Sequence, residues 1–108
     1  VGDRVFFDLD KSDLKPEARA RAERWAGWLK QYANVSVTIE GHCDERGTRE
    51  YNLALGERRA TAIRNFLVAQ GIAANRVTTI SYGKERPAVL GASEASWSQN
   101  RRGVMVVR

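Results

Sequence analysis

Apolar and polar residues alternate from residue 35 to residue 43. Val35, Val37, Ile39, Gly41 and Cys43 fall on one side, and Ser36, Thr38, Glu40 and His42 on the other, with Asp44 continuing the polar series. Successive side chains of an extended strand point to opposite faces, so this run is a strand with one covered face. The cover follows in the chain. After the polar stretch 44–48, a helical pattern occupies about residues 50–70, with Leu55, Ala60, Ile63 and Leu67 on its inner side. Thr48 is placed to cap its start, and Gly71 lies just past its end, where a left-handed residue is easiest for glycine. Strand, short polar loop and long amphipathic helix in that order commit the chain to packing helices on a sheet, with its loops gathered at one sheet edge.

The rest of the chain repeats the scheme. Residues 4–7 (Arg-Val-Phe-Phe) read as a first or edge strand. Residues 8–14 carry Asp8, Asp10, Ser12 and Asp13, a loop signature in which Asp8 and Asp13 are expected to form turns. Pro16 and Glu17 suit the first turn of a helix over residues 15–32, whose inner stripe is Ala18, Ala22, Trp25, Ala26 and Leu29; Trp28 lies off it. A third strand is expected over 77–82, then a loop over 83–91 stiffened by Pro87. A short helix follows over 92–101, capped by Ser93 with Trp97 turned inward, and a last strand over 103–107. The order is β-α-β-α-β-α-β. It predicts one α+β domain over residues 1–108, a mixed four-stranded sheet with helices on one face and right-handed crossovers.

Composition narrows the function classes. Of 108 residues, 43% are apolar, enough for a packed core. No apolar run approaches bilayer length. No signal peptide opens the chain and Val1 is not a natural start, so the sequence is expected to be a mature or trimmed part of a longer protein. The net charge of +5 suits an acidic partner: nucleic acid, membrane surface or anionic polymer. Nucleic acid is disfavoured. The basic residues of the first helix (Lys15, Arg19, Arg21, Arg24, Lys30) are broken by Glu17 and Glu23, and no aromatic residues interleave as a stacking platform. The single cysteine, Cys43, cannot close an internal disulfide. His42 and Cys43 are neighbours on a strand and point to opposite faces, so they form no dyad. One His and one Cys are too few for a usual zinc site. Neither metal nor cofactor is expected; Cys43 reads as a buried filler and His42 as a strand-surface residue.

The chemistry concentrates in residues 40–60. Asp44 leaves the end of a strand, and Arg59 stands on the following helix, on the face shared by Leu55, Ile63 and Leu67. A fixed carboxylate beside a fixed guanidinium is a receptor for a zwitterion: the carboxylate takes an ammonium, and the guanidinium fork takes a carboxylate. The two can equally pair with each other. A hydrolase using Asp10 and Asp44 as acid and base is disfavoured, because no apolar pocket raises either group and Arg46 and Arg59 would lower them. Tyr51 and Asn52 are expected to fix the loop and helix start. Arg58 reads as solvated or paired with Glu45, and Arg101 and Arg102 as braces of the last strand and short helix.

These residues carry a resemblance over essentially the whole chain. Val5-Phe-Phe-Asp-Leu-Asp-Lys-Ser-Asp-Leu14, Gly41-His-Cys-Asp-Glu-Arg-Gly-Thr48, Tyr51-Asn-Leu-Ala-Leu-Gly-Glu-Arg-Arg-Ala60, Ser81-Tyr-Gly-Lys-Glu-Arg-Pro-Ala-Val-Leu-Gly91 and Asn100-Arg-Arg102 resemble the outer-membrane protein A-like C-terminal domain family. More narrowly they resemble its peptidoglycan-associated lipoprotein branch, of the Tol-Pal system. The resemblance implies a non-catalytic domain that grips the diaminopimelate residue of the peptidoglycan stem peptide and anchors the outer membrane to the wall. Carried over by position, Asp44 takes the ammonium and Arg59 the carboxylate. Asp10, Arg46 and Leu55 make further contacts, and Gly47 and Thr48 shape the loop. The family also implies a lipid-modified cysteine, inserted in the outer membrane, that is not among these residues. It implies competition between peptidoglycan and the periplasmic propeller protein of the Tol system, which leaves a module whose main ligand is that protein as the alternative function. Cys43 departs from the small residue usual at its position and leaves Asp44 untouched.

Overall fold

The structure, a computed structural model, describes residues 3–108. The chain runs β1 (Arg4–Phe6), α1 (Pro16–Gln31), β2 (Val37–His42), α2 (Arg49–Ala69), a 3-10 turn (Ala74–Arg76), β3 (Val77–Gly83), α3 (Glu94–Asn100) and β4 (Arg102–Val107). The four strands form one sheet in the order β1-β4-β2-β3. β2 and β3 pair in parallel, while β4 is antiparallel to both β1 and β2. The mixed four-stranded α+β arrangement expected from the sequence is the one observed. The last strand to be made enters the middle of the sheet, so β1 and β2 lie parallel with β4 between them.

The predicted local signals act where they stand. Pro16 opens α1 and Glu17 sits in its first turn. The Thr48 hydroxyl accepts from the Tyr51 N–H and caps α2, and Ser93 caps α3 through Ser96 N–H. Gly71 follows α2 at φ +102°. The inner faces then close one core: Trp25 and Leu29 of α1, Ile63 and Leu67 of α2, and Val37, Ile39 and Val77 of the sheet are buried together. Burying each such side chain contributes about 1.5–3 kcal/mol.

α2 lies close on the sheet because two glycines meet. A Cβ added at Gly41 of β2 would collide with the Gly56 backbone carbonyl of α2. This contact sets the height of α2 above β2, and hence where Asp44 and Arg59 stand.

Three expectations are corrected. The alternating run 35–43 is extended strand only over Val37–His42, because the Val35 N–H closes a turn onto the Tyr32 carbonyl. His42 is 2% exposed and no surface residue, because the Tyr82 ring stacks on it at 5.4 Å and Arg102 pairs with it across the sheet. Trp97 is half-buried and turns toward the 44–47 loop instead of the core.

Candidate functional site

The C-terminal ends of β1, β2 and β3 and the start of β4 share one edge of the sheet. A cleft of about 290 Å³ opens there, lined by Leu9 and Asp10 after β1, by Cys43, Asp44, Arg46 and Gly47 after β2, by Tyr51, Asn52, Leu55 and Arg59 of α2, and by Arg101. Of the residues singled out from the sequence, Asp10, Asp44, Arg46, Gly47, Leu55 and Arg59 are thus brought together. Thr48 stands outside the lining and acts as the helix cap.

Asp44 is buried, at 4% exposure. Its Oδ1 accepts from the Arg46 backbone N–H at 3.0 Å and from Arg46 Nε at 3.2 Å; its Oδ2 accepts from Arg46 Nη2 at 2.8 Å. Arg101 Nη1 approaches Oδ2 at 3.4 Å. Burial alone would raise this carboxyl, but the side-chain and backbone hydrogen bonds of Arg46, its charge, and the Arg101 bond outweigh it and hold Asp44 below the usual carboxylate range. Asp44 and Arg59 do not pair with each other: each has other partners.

Arg59 has no exposed surface. Its Nε donates to the Lys11 carbonyl at 2.8 Å, Nη1 to the His42 carbonyl at 3.0 Å and Nη2 to the Asp8 carbonyl at 2.9 Å. The Phe7 ring lies 5.2 Å from its guanidinium carbon. A guanidinium has five N–H donors, so these three carbonyl bonds leave one more on each terminal nitrogen, with the Cys43 thiol also within bonding reach of the group. Burial lowers the Arg59 pKa from its ordinary value, yet an arginine stays charged at any pH at which proteins are folded. Arg59 therefore ties the β1–α1 loop to the end of β2 while presenting a cation to the floor of the cleft.

Local geometry sets the remaining lining residues. Asp10 adopts φ +57°, a left-handed turn conformation that Asp tolerates, and accepts from the Tyr51 hydroxyl at 3.1 Å. Asn52 donates to the Arg46 and Thr48 carbonyls, fixing the loop as expected of it. Leu55 is buried and adds an apolar wall. Cys43 is a buried filler whose Sγ–H meets the Asn52 carbonyl.

The sequence reading missed what α3 brings. Arg101 does brace, donating Nε to the Phe7 carbonyl, but it also reaches Asp44 and bonds Glu94 at 2.6 Å. Trp97 holds Arg46 under its ring face and donates to Glu45 at 2.8 Å, while Arg58 is exposed, as the solvated reading expected. Lys84 donates to the Gly47 carbonyl at 2.7 Å. The one signal available was that Asn100-Arg-Arg102 and residues 81–91 belong to the same shared pattern as the loop.

Among the described residues no group of three or more His, Cys, Asp and Glu gathers as a metal site, and no helix is long and apolar enough to cross a membrane. The cleft's assets are a carboxylate held ionised, a second carboxylate at its rim, and three guanidinium groups. Such a set can grip a small ligand bearing both charges.

Comparison with known proteins bears on the family and the fold. The family model described as the OmpA family matches residues 6–101. A peptidoglycan-associated lipoprotein of Rhizobium meliloti is 56% identical over 107 residues, covering 99% of this chain and 61% of that protein. One of Pseudomonas aeruginosa is 54% identical over 97 residues, covering 90% and 57%. The chain thus spans about three-fifths of the length of these curated relatives. The crystal structure of the peptidoglycan-associated lipoprotein from Burkholderia pseudomallei superposes with a TM-score of 0.96 at 41% identity, over 99% of this chain and 91% of that one. The C-terminal domain of Helicobacter pylori MotB superposes with a TM-score of 0.91 at 19% identity, over 100% and 85%, which speaks for the fold alone. The chain belongs to the OmpA family, in the branch that holds the peptidoglycan-associated lipoproteins.

Proposed function

We propose that this cleft binds the peptidoglycan stem peptide at the amino-acid end of its diaminopimelate side chain, without catalysis, and so anchors an outer-membrane lipoprotein to the cell wall. The observation that carries the reading is the placing of Asp44 and Arg59 on one cleft, each with a fixed charge and neither neutralised by the other. The ligand ammonium joins Asp44, and its carboxylate takes Arg59 N–H groups that are not spent on the backbone carbonyls. Asp10, Arg46 and Leu55 flank it, and Gly47 and Thr48 hold the loop that presents them. The names of the relatives support the ligand class.

The same electrostatics argue against hydrolysis. A carboxyl held below its usual range gives up no proton near neutral pH, so Asp44 cannot act as a general acid. Two or three charge-assisted contacts at about 1.5–3 kcal/mol each, less the cost of ordering the ligand, give affinities on the order of micromolar or weaker. Many wall copies and a membrane anchor raise the effective grip.

Co-sedimentation with purified diaminopimelate-type peptidoglycan tests this. Wild type is expected in the pellet, Asp44→Asn in the supernatant, and no soluble fragment is released. Equal pelleting of both proteins would move the site elsewhere.

A protein partner at the same edge is favoured by one observation. Leu9, Tyr51, Val89 and Leu90 are all exposed there, Leu90 at 84%. That apolar rim exceeds what a stem peptide needs and suits the Tol-system propeller protein as a competitor. Mutually exclusive binding of muropeptide and that protein would support it.

A further inference from the structure

Asp44 meets any ligand ammonium with a cation already on it. Arg46 spans both carboxylate oxygens of Asp44, and its guanidinium carbon stands 4.0 Å from the centre of the Trp97 ring. The same indole donates Nε1–H to Glu45 Oε1 at 2.8 Å. Trp97 thus touches the side chains of the two residues that follow Asp44, Glu45 and Arg46, from a separate element, α3. Lys84 holds the backbone of that loop at the Glu45 and Gly47 carbonyls. Arg46 has a side-chain exposure of 34% while Asp44 has 5%, so Arg46 is the partner that can leave.

We infer that Trp97 is a positioning residue: its ring retains the Arg46 guanidinium at the edge of the cleft, on Asp44 or just off it, so that a ligand ammonium replaces Arg46 without releasing it to solvent. This rests on the zwitterion reading above and deepens it into a specificity rule. An arginine displaced but retained needs a new anion. The favoured ligand therefore carries a second carboxylate within reach of its ammonium-and-carboxylate end, which a monocarboxylic amino acid lacks. The ring affects affinity only through keeping Arg46 positioned for that anion, so the contribution of a cation over an aromatic face, about 0.5–2 kcal/mol, sets an upper bound of roughly thirtyfold on losing it.

The test is a double-mutant cycle, titrating a soluble diaminopimelate muropeptide calorimetrically into wild type, Trp97→Leu, Arg46→Ala and the double variant. Trp97→Phe serves as the ring-preserving control. The expected result is roughly tenfold weaker binding for Trp97→Leu, near wild-type binding for Trp97→Phe, and no further loss from Trp97→Leu in the Arg46→Ala background. Losses that add in the double variant would overturn the inference while leaving the zwitterion reading intact. Failure of folded wild type to bind would overturn the reading itself. The Arg46 Nε–H proton resonance gives a readout that needs no ligand. Lying over the indole it should be shifted upfield by the ring current, and Trp97→Leu should return it to an ordinary arginine position. An unmoved resonance would show that Trp97 does not hold Arg46.

Discussion

Replacing Arg59 by alanine should damage the fold before it damages binding. Its three bonds end on the carbonyls of Lys11, His42 and Asp8, of which the bond to His42 is fully buried and the other two partly so. An orphaned buried carbonyl costs about 1–3 kcal/mol, with the buried one at the upper end and the partly wetted two near the lower. Relief of the desolvated guanidinium offsets some of this, since a buried charge is itself costly. The net loss is placed at about 3–4 kcal/mol, a large share of the roughly 5–15 kcal/mol that holds a domain together. For a chain near 100 residues this lowers Tm by on the order of 20 °C. Circular dichroism melts, with urea unfolding to check that the m-value holds, measure it. Arg59→Lys should fall between, because a point ammonium cannot span three separated carbonyls. A drop under about 5 °C for Arg59→Ala would refute the argument that this arginine ties the β1–α1 loop to β2. Loss of ligand by Arg59→Ala is for this reason poor evidence of direct contact, and Asp44→Asn is the cleaner probe.

Further outcomes follow from the same structure. Gly41→Ala should destabilise by about 2–3 kcal/mol in urea unfolding, because its Cβ meets the Gly56 carbonyl; a change below about 0.5 kcal/mol would mean α2 does not lie that close. Stability should fall on acidification in two stages. Burial, partly opposed by the bond to Glu40, keeps His42 below the ordinary histidine value, so stability is full above about pH 6.5 and declines as pH drops toward the folded value. Asp44 is held low, so its contribution is full above about pH 4 and is lost as pH falls through its folded value. His42→Gln should flatten the upper stage of the urea-midpoint profile and leave the lower one; an unchanged profile would remove His42 from the account. Amidation of the diaminopimelate carboxylate should weaken binding roughly tenfold in calorimetry, by removal of one charge-assisted contact.

What the sequence made legible is what short-range periodicity encodes. The strand around Val37 and Ile39, the helix carrying Leu55, Arg59, Ile63 and Leu67, and the caps at Thr48 and Ser93 are local facts, and their neighbours confirm them. Asp44 and Arg59 could be placed on one cleft because only a single loop and about three helical turns separate them. Four things lay beyond that reach. β4 pairs between β1 and β2, a choice made by contacts far apart in sequence. Trp97 and Arg101 arrive at the cleft only because α3 is folded over that edge, and no periodicity in 92–101 announces it. His42 looked exposed from strand alternation alone, yet Tyr82 and Arg102 cover it on the face without helices. Arg59, finally, reads in sequence as a guanidinium for a ligand carboxylate or for Asp44; only the fold shows that most of its donors are spent on backbone carbonyls.

The central claim is that one cleft reads both charges of a diaminopimelate end. The most direct measurement is calorimetric titration of a diaminopimelate muropeptide and its lysine-type counterpart, which lacks the side-chain carboxylate, into wild type and Asp44→Asn. The account predicts measurable binding of the first ligand by wild type, at least tenfold weaker binding of the second, and loss of both by Asp44→Asn while that variant, though less stable, still unfolds cooperatively. Equal affinity for the two ligands, or undiminished binding by a folded Asp44→Asn protein, would contradict it.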